Sequence, residues 1–223
     1  MEGGKKKFFS NIGWLMGGKI VNMLLQFFVS LATARYLGPS NFGTINYVAA
    51  FVSFFSSIAS LGLAVIVIKE IATDKYDNNE VIWTSIWMRF GTAVLSTISI
   101  IALIFITNRD DSMIVQIAFL ESLSILFSSF DTINYYFQAR LLAKWSSIAG
   151  VLAYVGMSLY RIYLLATNAD IVWFAFATST DMIFLTVFLM IFYIRIEGFR
   201  PKFNWQLGKR LFRQSYHYLI AGL

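Results

Sequence analysis

Six apolar runs, each long enough to cross a lipid bilayer as a helix, leave this chain one class of fold. A helix rises 1.5 Å per residue, so roughly 20 predominantly apolar residues span about 30 Å of hydrocarbon. The runs lie at about 13–34, 42–68, 82–107, 113–139, 145–167 and 171–194. A seventh begins near Leu211. Only 13% of the 223 residues are charged and 58% are hydrophobic, whereas soluble domains are about 25% charged. An outer surface of that composition must face lipid. The expectation is an all-α integral membrane protein. The first run follows "KKKFF" but is too long for a signal peptide, and another span follows it at once.

Lysines and arginines in the short loops set the orientation. One side receives Lys5, Lys6, Lys7, Lys69, Lys75, Arg140 and Lys144, then Arg195, Arg200, Lys202, Lys209 and Arg210. The other receives Arg35 and Arg109. Twelve against two, alternating as six spans require, predicts a cytoplasmic amino terminus. The net charge of +6 is therefore mostly a topology signal, and nucleic acid is not an expected partner. Trp14, Trp83, Trp87, Trp145 and Trp173 fall near span ends, where such rings anchor at the interface.

Polar residues line single faces of several spans. In the first, Lys19, Asn22, Gln26, Ser30 and Thr33 share an arc of roughly 80°. The third carries Ser85, Arg89, Thr92, Ser96 and Ser99 in a similar arc. The fourth places Glu121, Ser124, Ser128, Asp131 and Gln138 on one side. Ser158 and Arg161 mark the fifth span, and Asp181 the sixth. Each ionisable group at a helix centre costs at least about 2.5–3.5 kcal/mol on insertion scales. Two arrangements accommodate them. Lys19 and Arg89 can pair with Asp131, and Arg161 with Glu121. Alternatively the faces converge on a wet cavity. There Lys19, Asn22, Gln26, Arg89 and Arg161 meet an anionic substrate, and Glu121, Asp131 and Asp181 carry H⁺ or Na⁺.

No enzyme signature is present: no paired acids in a loop, no Gly-rich phosphate loop, no Ser-His-Asp set. There is no cysteine. His217 is the single histidine, reads as satisfied or exposed, and offers no metal site. No cofactor is expected beyond the coupling ion.

Between the first two spans stands "ATARYLGPSNFGTINY". Gly38 and Pro39 stop one helix, and Ser40 or Asn41 can cap the next. This turn, "GWLMGGKIVNMLLQFFVSLATARYLGPSNFGTINY" around it, and "LGLAVIVIKEIA" after it resemble the bacterial polysaccharide biosynthesis and O-antigen flippases. These belong to the multidrug/oligosaccharidyl-lipid/polysaccharide (MOP) exporter superfamily. Arg35, Tyr36, Leu37, Gly38 and Pro39 carry the resemblance, with Phe42 and Gly43 shortly after, then Leu61 to Leu63 and Ile68 to Glu70. It implies two six-helix lobes around a central cavity. It further implies transport of an undecaprenyl-diphosphate-linked oligosaccharide across the bacterial cytoplasmic membrane, driven by H⁺ or Na⁺. On this reading residues 1–194 are the amino-terminal lobe, 195–210 a cytoplasmic linker and 211–223 the start of a seventh helix. "YLIAG" at Tyr218 to Gly222 then echoes "WLMGG" at Trp14 to Gly18. The chain so read is a fragment or truncated product, and a missing second lobe or another copy is its expected partner. A drug/cation antiporter of the same superfamily and a non-transporting membrane scaffold are the alternatives.

Overall fold

The computed structural model describes the backbone of residues 2–109 and 111–222, and side chains from 10 to 215 except Asp110. Lys5 to Lys7, His217 and the echo at Tyr218 to Gly222 lie outside the described side chains. The helices are α1 (Glu2–Ala59), α2 (Ala64–Ala72), α3 (Asn78–Thr107), α4 (Ser112–Ser128), α5 (Thr132–Ala139), α6 (Ala143–Ala166), α7 (Ile171–Glu197) and α8 (Trp205–Gly222). No strand occurs among the described residues. Five continuous stretches are long and apolar enough to cross a membrane: Ser10–Ala72, Asn78–Thr107, Ser112–Ala139, Ala143–Ala166 and Ile171–Glu197.

The first stretch, at 63 residues, far exceeds the roughly 20 a crossing needs. It is divided at Gly38, the one non-helical residue inside α1 (φ 72°, ψ 171°). The limb before Gly38 runs parallel to α6: Ser147 Oγ donates to the Trp14 carbonyl (2.8 Å), and Tyr36 Oη donates to the Ala169 carbonyl (3.1 Å). The limb after it runs antiparallel to α3. Thr92 Oγ1 donates to the Ala59 carbonyl (3.0 Å) and Ser96 Oγ to the Phe55 carbonyl (3.4 Å), while Asn108 reaches Tyr47 (3.4 Å). The chain turns on one residue. Ser40 and Asn41, expected as a cap, already lie in helix.

Gly38 has this conformation because only glycine lacks the Cβ that forbids it. A Cβ built there meets no atom within 4 Å, so the penalty for a side chain is backbone strain alone. Gly38→Ala should lower stability by about 1–3 kcal/mol. Gly43→Ala, where the space is equally open and the backbone helical, should be neutral or stabilising by up to about 1 kcal/mol. Chemical denaturation of the purified protein in micelles compares the two.

Two of the expected spans are broken rather than continuous. α1 and α2 are separated by a turn in which Leu61 (φ 55°) and Gly62 (φ 60°) are both left-handed. Glycine tolerates this; Leu61, only 5% exposed, is held there by packing. α4 and α5 are joined by a 3-10 turn, Ser129–Asp131. The short halves α2 and α5 pack together in an apolar cluster around Val67, Ile71, Ile133 and Phe137. A second cluster, around Val48, Ile104, Ile117 and Phe174, fills the other end.

Polar contacts gather the loops at the end rich in Lys and Arg. Asp77 caps α3 through the Asn79 amide (3.0 Å) and accepts from Lys202 Nζ (3.2 Å). Arg140 donates to Asp74 and to Asn78 (2.9 Å). Glu197 accepts from Asn78 (2.8 Å) and Tyr136 (2.7 Å). The Asn79 amide holds the Asp77 carboxyl below the usual aspartate range, with Lys202 adding to it; Arg140 does the same for Asp74. A carboxylate depressed in the folded state contributes stability above its unfolded pKa, and loses it as pH falls through the folded one. Asp77→Ala should therefore cost about 1 kcal/mol near neutrality. The gap from the parent should close in acid, below about pH 4, which thermal unfolding across pH would follow.

Among the tryptophans, Trp14, Trp87 and Trp173 are exposed, Trp173 in the first turn of α7. Trp83 is not. It is buried, edge-on to Phe199 at 5.3 Å between ring centroids, because the 198–204 segment folds back over the start of α3.

Candidate functional site

The polar residues fall into three groups. The first lies along the limb before Gly38. Lys19 and Gln26 are exposed, Asn22 is half-buried against α6 with its Oδ1 unpartnered, and Ser30 joins Gln26 in a groove of about 510 Å³ beneath Phe42. Thr33 is buried and bonds its own helix at Val29 (2.8 Å). The stripe thus occupies the flank beside the α6 contact, with Met23 and Phe27 lining the groove next to Gln26, while Leu24 and Phe28 are exposed on the far, apolar side. Asn22 approaches Gly150, and Gly18 meets Ser147 so closely that a Cβ would stand 3.0 Å from the serine Cβ. Small residues at the contact let the two backbones come together, as helix pairs in lipid require.

The second group sits at the break between α4 and α5. Arg89, 5% exposed, donates from Nη1 to Thr132 Oγ1 (3.0 Å) and approaches the Tyr135 hydroxyl (3.5 Å) and ring. Asp131 accepts from Asn134, whose Oδ1 accepts from Ser146 Oγ (2.5 Å). The rest of the α3 stripe has other employment. Ser85 and Ser99 bond their own helix, and Thr92 and Ser96 bond carbonyls of α1. The Thr92 hydroxyl satisfies the Ala59 carbonyl where α1 ends before its break, as an open carbonyl in a membrane helix demands.

The third group lies between α4, α6 and α7. Glu121 is 0% exposed and neither carboxylate oxygen has a hydrogen-bond partner. Arg161 Nε is likewise buried and unpartnered. Glu121, Asp181 and Tyr154 are its electrostatic neighbours. The three ion pairs within 4 Å among the described residues are Arg140–Asp74, Lys202–Asp77 and Arg210–Glu70, all at the basic end. The pairings of Lys19 or Arg89 with Asp131, and of Arg161 with Glu121, are not among them. The charges inside the bundle are grouped without direct contact. Such groups are costly in hydrocarbon.

The turn motif has a structural task. Tyr36 is pinned to the α6–α7 loop by its hydroxyl and packs on Phe174 at 5.4 Å between centroids; Leu37 is buried, and Arg35 projects outward. Pro39 opens the second limb, where its missing N–H matters least.

A family model described as "Polysaccharide biosynthesis protein" matches residues 8–223, nearly the whole chain. The chain belongs to that family. Neither a curated protein nor a solved structure gives a match. Family membership agrees with the flippase resemblance carried by the turn, and with the long apolar helices it makes the chain a multi-pass membrane protein. Sequence reasoning missed Thr132, which holds Arg89, and the capping role of Thr92.

Proposed function

We propose that this chain forms one lobe, with six crossings and a cytoplasmic amino terminus, of a flippase in the bacterial inner membrane. Its cargo is an oligosaccharide on undecaprenyl diphosphate, destined for cell-surface polysaccharide such as O-antigen. A second lobe or another copy covers the flank bearing Lys19 and Gln26, so that this polar stripe faces a shared aqueous cavity. The observation that carries the proposal is that stripe: a lysine and a glutamine exposed on one flank of an otherwise apolar membrane helix, in a chain of the polysaccharide biosynthesis family.

Lys19 meets the diphosphate on loading. Arg89 acts one layer behind, holding the α4–α5 break through Thr132. Glu121 and Asp181, grouped about Arg161, exchange H⁺ or Na⁺ as the lobe rocks. The balance of three cations and three acids inside the spans favours an anionic lipid-linked sugar over a cationic drug.

The test is translocation of a fluorescent polyprenyl-diphosphate oligosaccharide in proteoliposomes holding the chain with its second lobe or copy. Lys19→Gln removes one charge-assisted phosphate contact and should slow transport roughly tenfold or more, with the protein equally stable. Unchanged transport in Lys19→Gln would remove the proposal.

A further inference from the structure

The basic end contains a cleft that neither the topology argument nor the transport proposal uses. It lies between α2 and α8, has a volume of about 710 Å³, and is floored by Val65 and Ile66. Lys69, Lys209, Arg210 and Arg213 line it, with Gln214 beside them.

These cations are not equivalent. Arg210 is committed: it pairs with Glu70 (3.1 Å), a residue 5% exposed, and reaches the Tyr76 hydroxyl (3.3 Å). That buried pair fixes α8 against α2. Lys69, Lys209 and Arg213 are exposed, and none has a carboxylate within 4 Å among the described residues. Leu207, Leu211 and Ser215 turn inward at helical spacing, which puts Lys209 and Arg213, one turn apart, together on the open side of α8. Three uncompensated positive charges thus converge from two helices over an apolar floor. Repulsion among them is relieved by an anion, and the floor selects one attached to an apolar chain. Trp205 and Phe212, also exposed on α8, suit a helix lying at the headgroup level.

We propose that this cleft binds the phosphate of a lipid headgroup in the adjoining leaflet, the phosphate meeting Lys69, Lys209 and Arg213 and the first carbons of the tail lying on Val65 and Ile66. The site stands whether or not the chain moves a glycan. Its ligand comes from an anionic bilayer phospholipid or from a polyprenyl diphosphate, which share the chemistry recognised.

Native mass spectrometry of the full chain, released from nanodiscs of equal phosphatidylglycerol and phosphatidylcholine, reads the bound lipid. The parent should retain phosphatidylglycerol selectively. Each cation near an anionic headgroup is worth roughly fivefold in affinity, so Lys69→Gln/Lys209→Gln/Arg213→Gln should weaken retention on the order of 100-fold at low salt. Lys75→Gln/Arg195→Gln/Arg200→Gln removes three exposed charges from the same end but outside the cleft, and should retain the lipid. In a second arm, polyprenyl diphosphate is titrated in. Displacement of phosphatidylglycerol at equimolar amounts assigns the site to the diphosphate lipid, and persistence assigns it to the phospholipid; both support the cleft. Equal loss in the two triple variants, or no selectivity in the parent, overturns it.

Discussion

Replacing Arg161 with methionine is expected to destabilise the protein by up to about 3 kcal/mol, the low end of the cost of breaking a direct buried pair, because these charges are grouped without contact. Arg161 on α6 is the cation whose charge acts on both Glu121 on α4 and Asp181 on α7. Glu121 has no exposed surface and no hydrogen bond to either oxygen, so that guanidinium is the compensation its charged form has. Methionine fills a similar volume, which limits the loss to electrostatics. Adding Glu121→Gln to Arg161→Met should recover at least half of the deficit, because an amide removes the uncompensated charge. The double-mutant cycle in micelles decides it: two additive losses would mean that the groups do not interact.

Arg89 should give the second largest effect, for a different reason. Its guanidinium is buried and reaches Thr132 and Tyr135 in α5, just past the α4–α5 break. Arg89→Met leaves Thr132 Oγ1 without its donor. A loss of about 2 kcal/mol follows for a hydrogen bond to a charged group. Arg89→Lys keeps the charge but not the reach of the fork, and should lose less. Thr132→Val in the Arg89→Met background should cost only the bond that remains, from Thr132 Oγ1 to the Ser129 carbonyl (2.8 Å), about 1 kcal/mol. A large further loss there would show that Thr132 acts independently of Arg89.

Much of the helical layout was legible because hydrophobic length and charge placement are local properties. The ends of α3, α6 and α7 fall within a few residues of the expected spans. The breaks were not legible in the same way. Leu61 is left-handed only because its neighbours hold it there, and "SSFD" carries no strong helix breaker. The single-residue turn at Gly38 was read as a longer loop, since Ser40 and Asn41 have capping chemistry but lie inside helix. Among site residues, the face shared by Lys19 and Gln26 follows from spacing alone. What the α3 hydroxyls bond to does not: Thr92 and Ser96 look identical in sequence to cavity-lining residues, and only the packing of α1 on α3 assigns them. The cationic cleft was hidden because Lys69, Lys209 and Arg210 were fully accounted for as orientation signals.

The central claim is that the flank of the first membrane helix bearing Lys19 and Gln26 faces water, while its opposite face meets lipid. The chain has no cysteine, so single substitutions report without background. With the assembled transporter in liposomes, Lys19→Cys and Gln26→Cys should react readily with a charged, membrane-impermeant thiol reagent. Leu24→Cys and Phe28→Cys, which bracket the depth of Gln26 on the opposite face, should resist it. Equal protection of all four, or faster labelling at Leu24 and Phe28, would contradict the account.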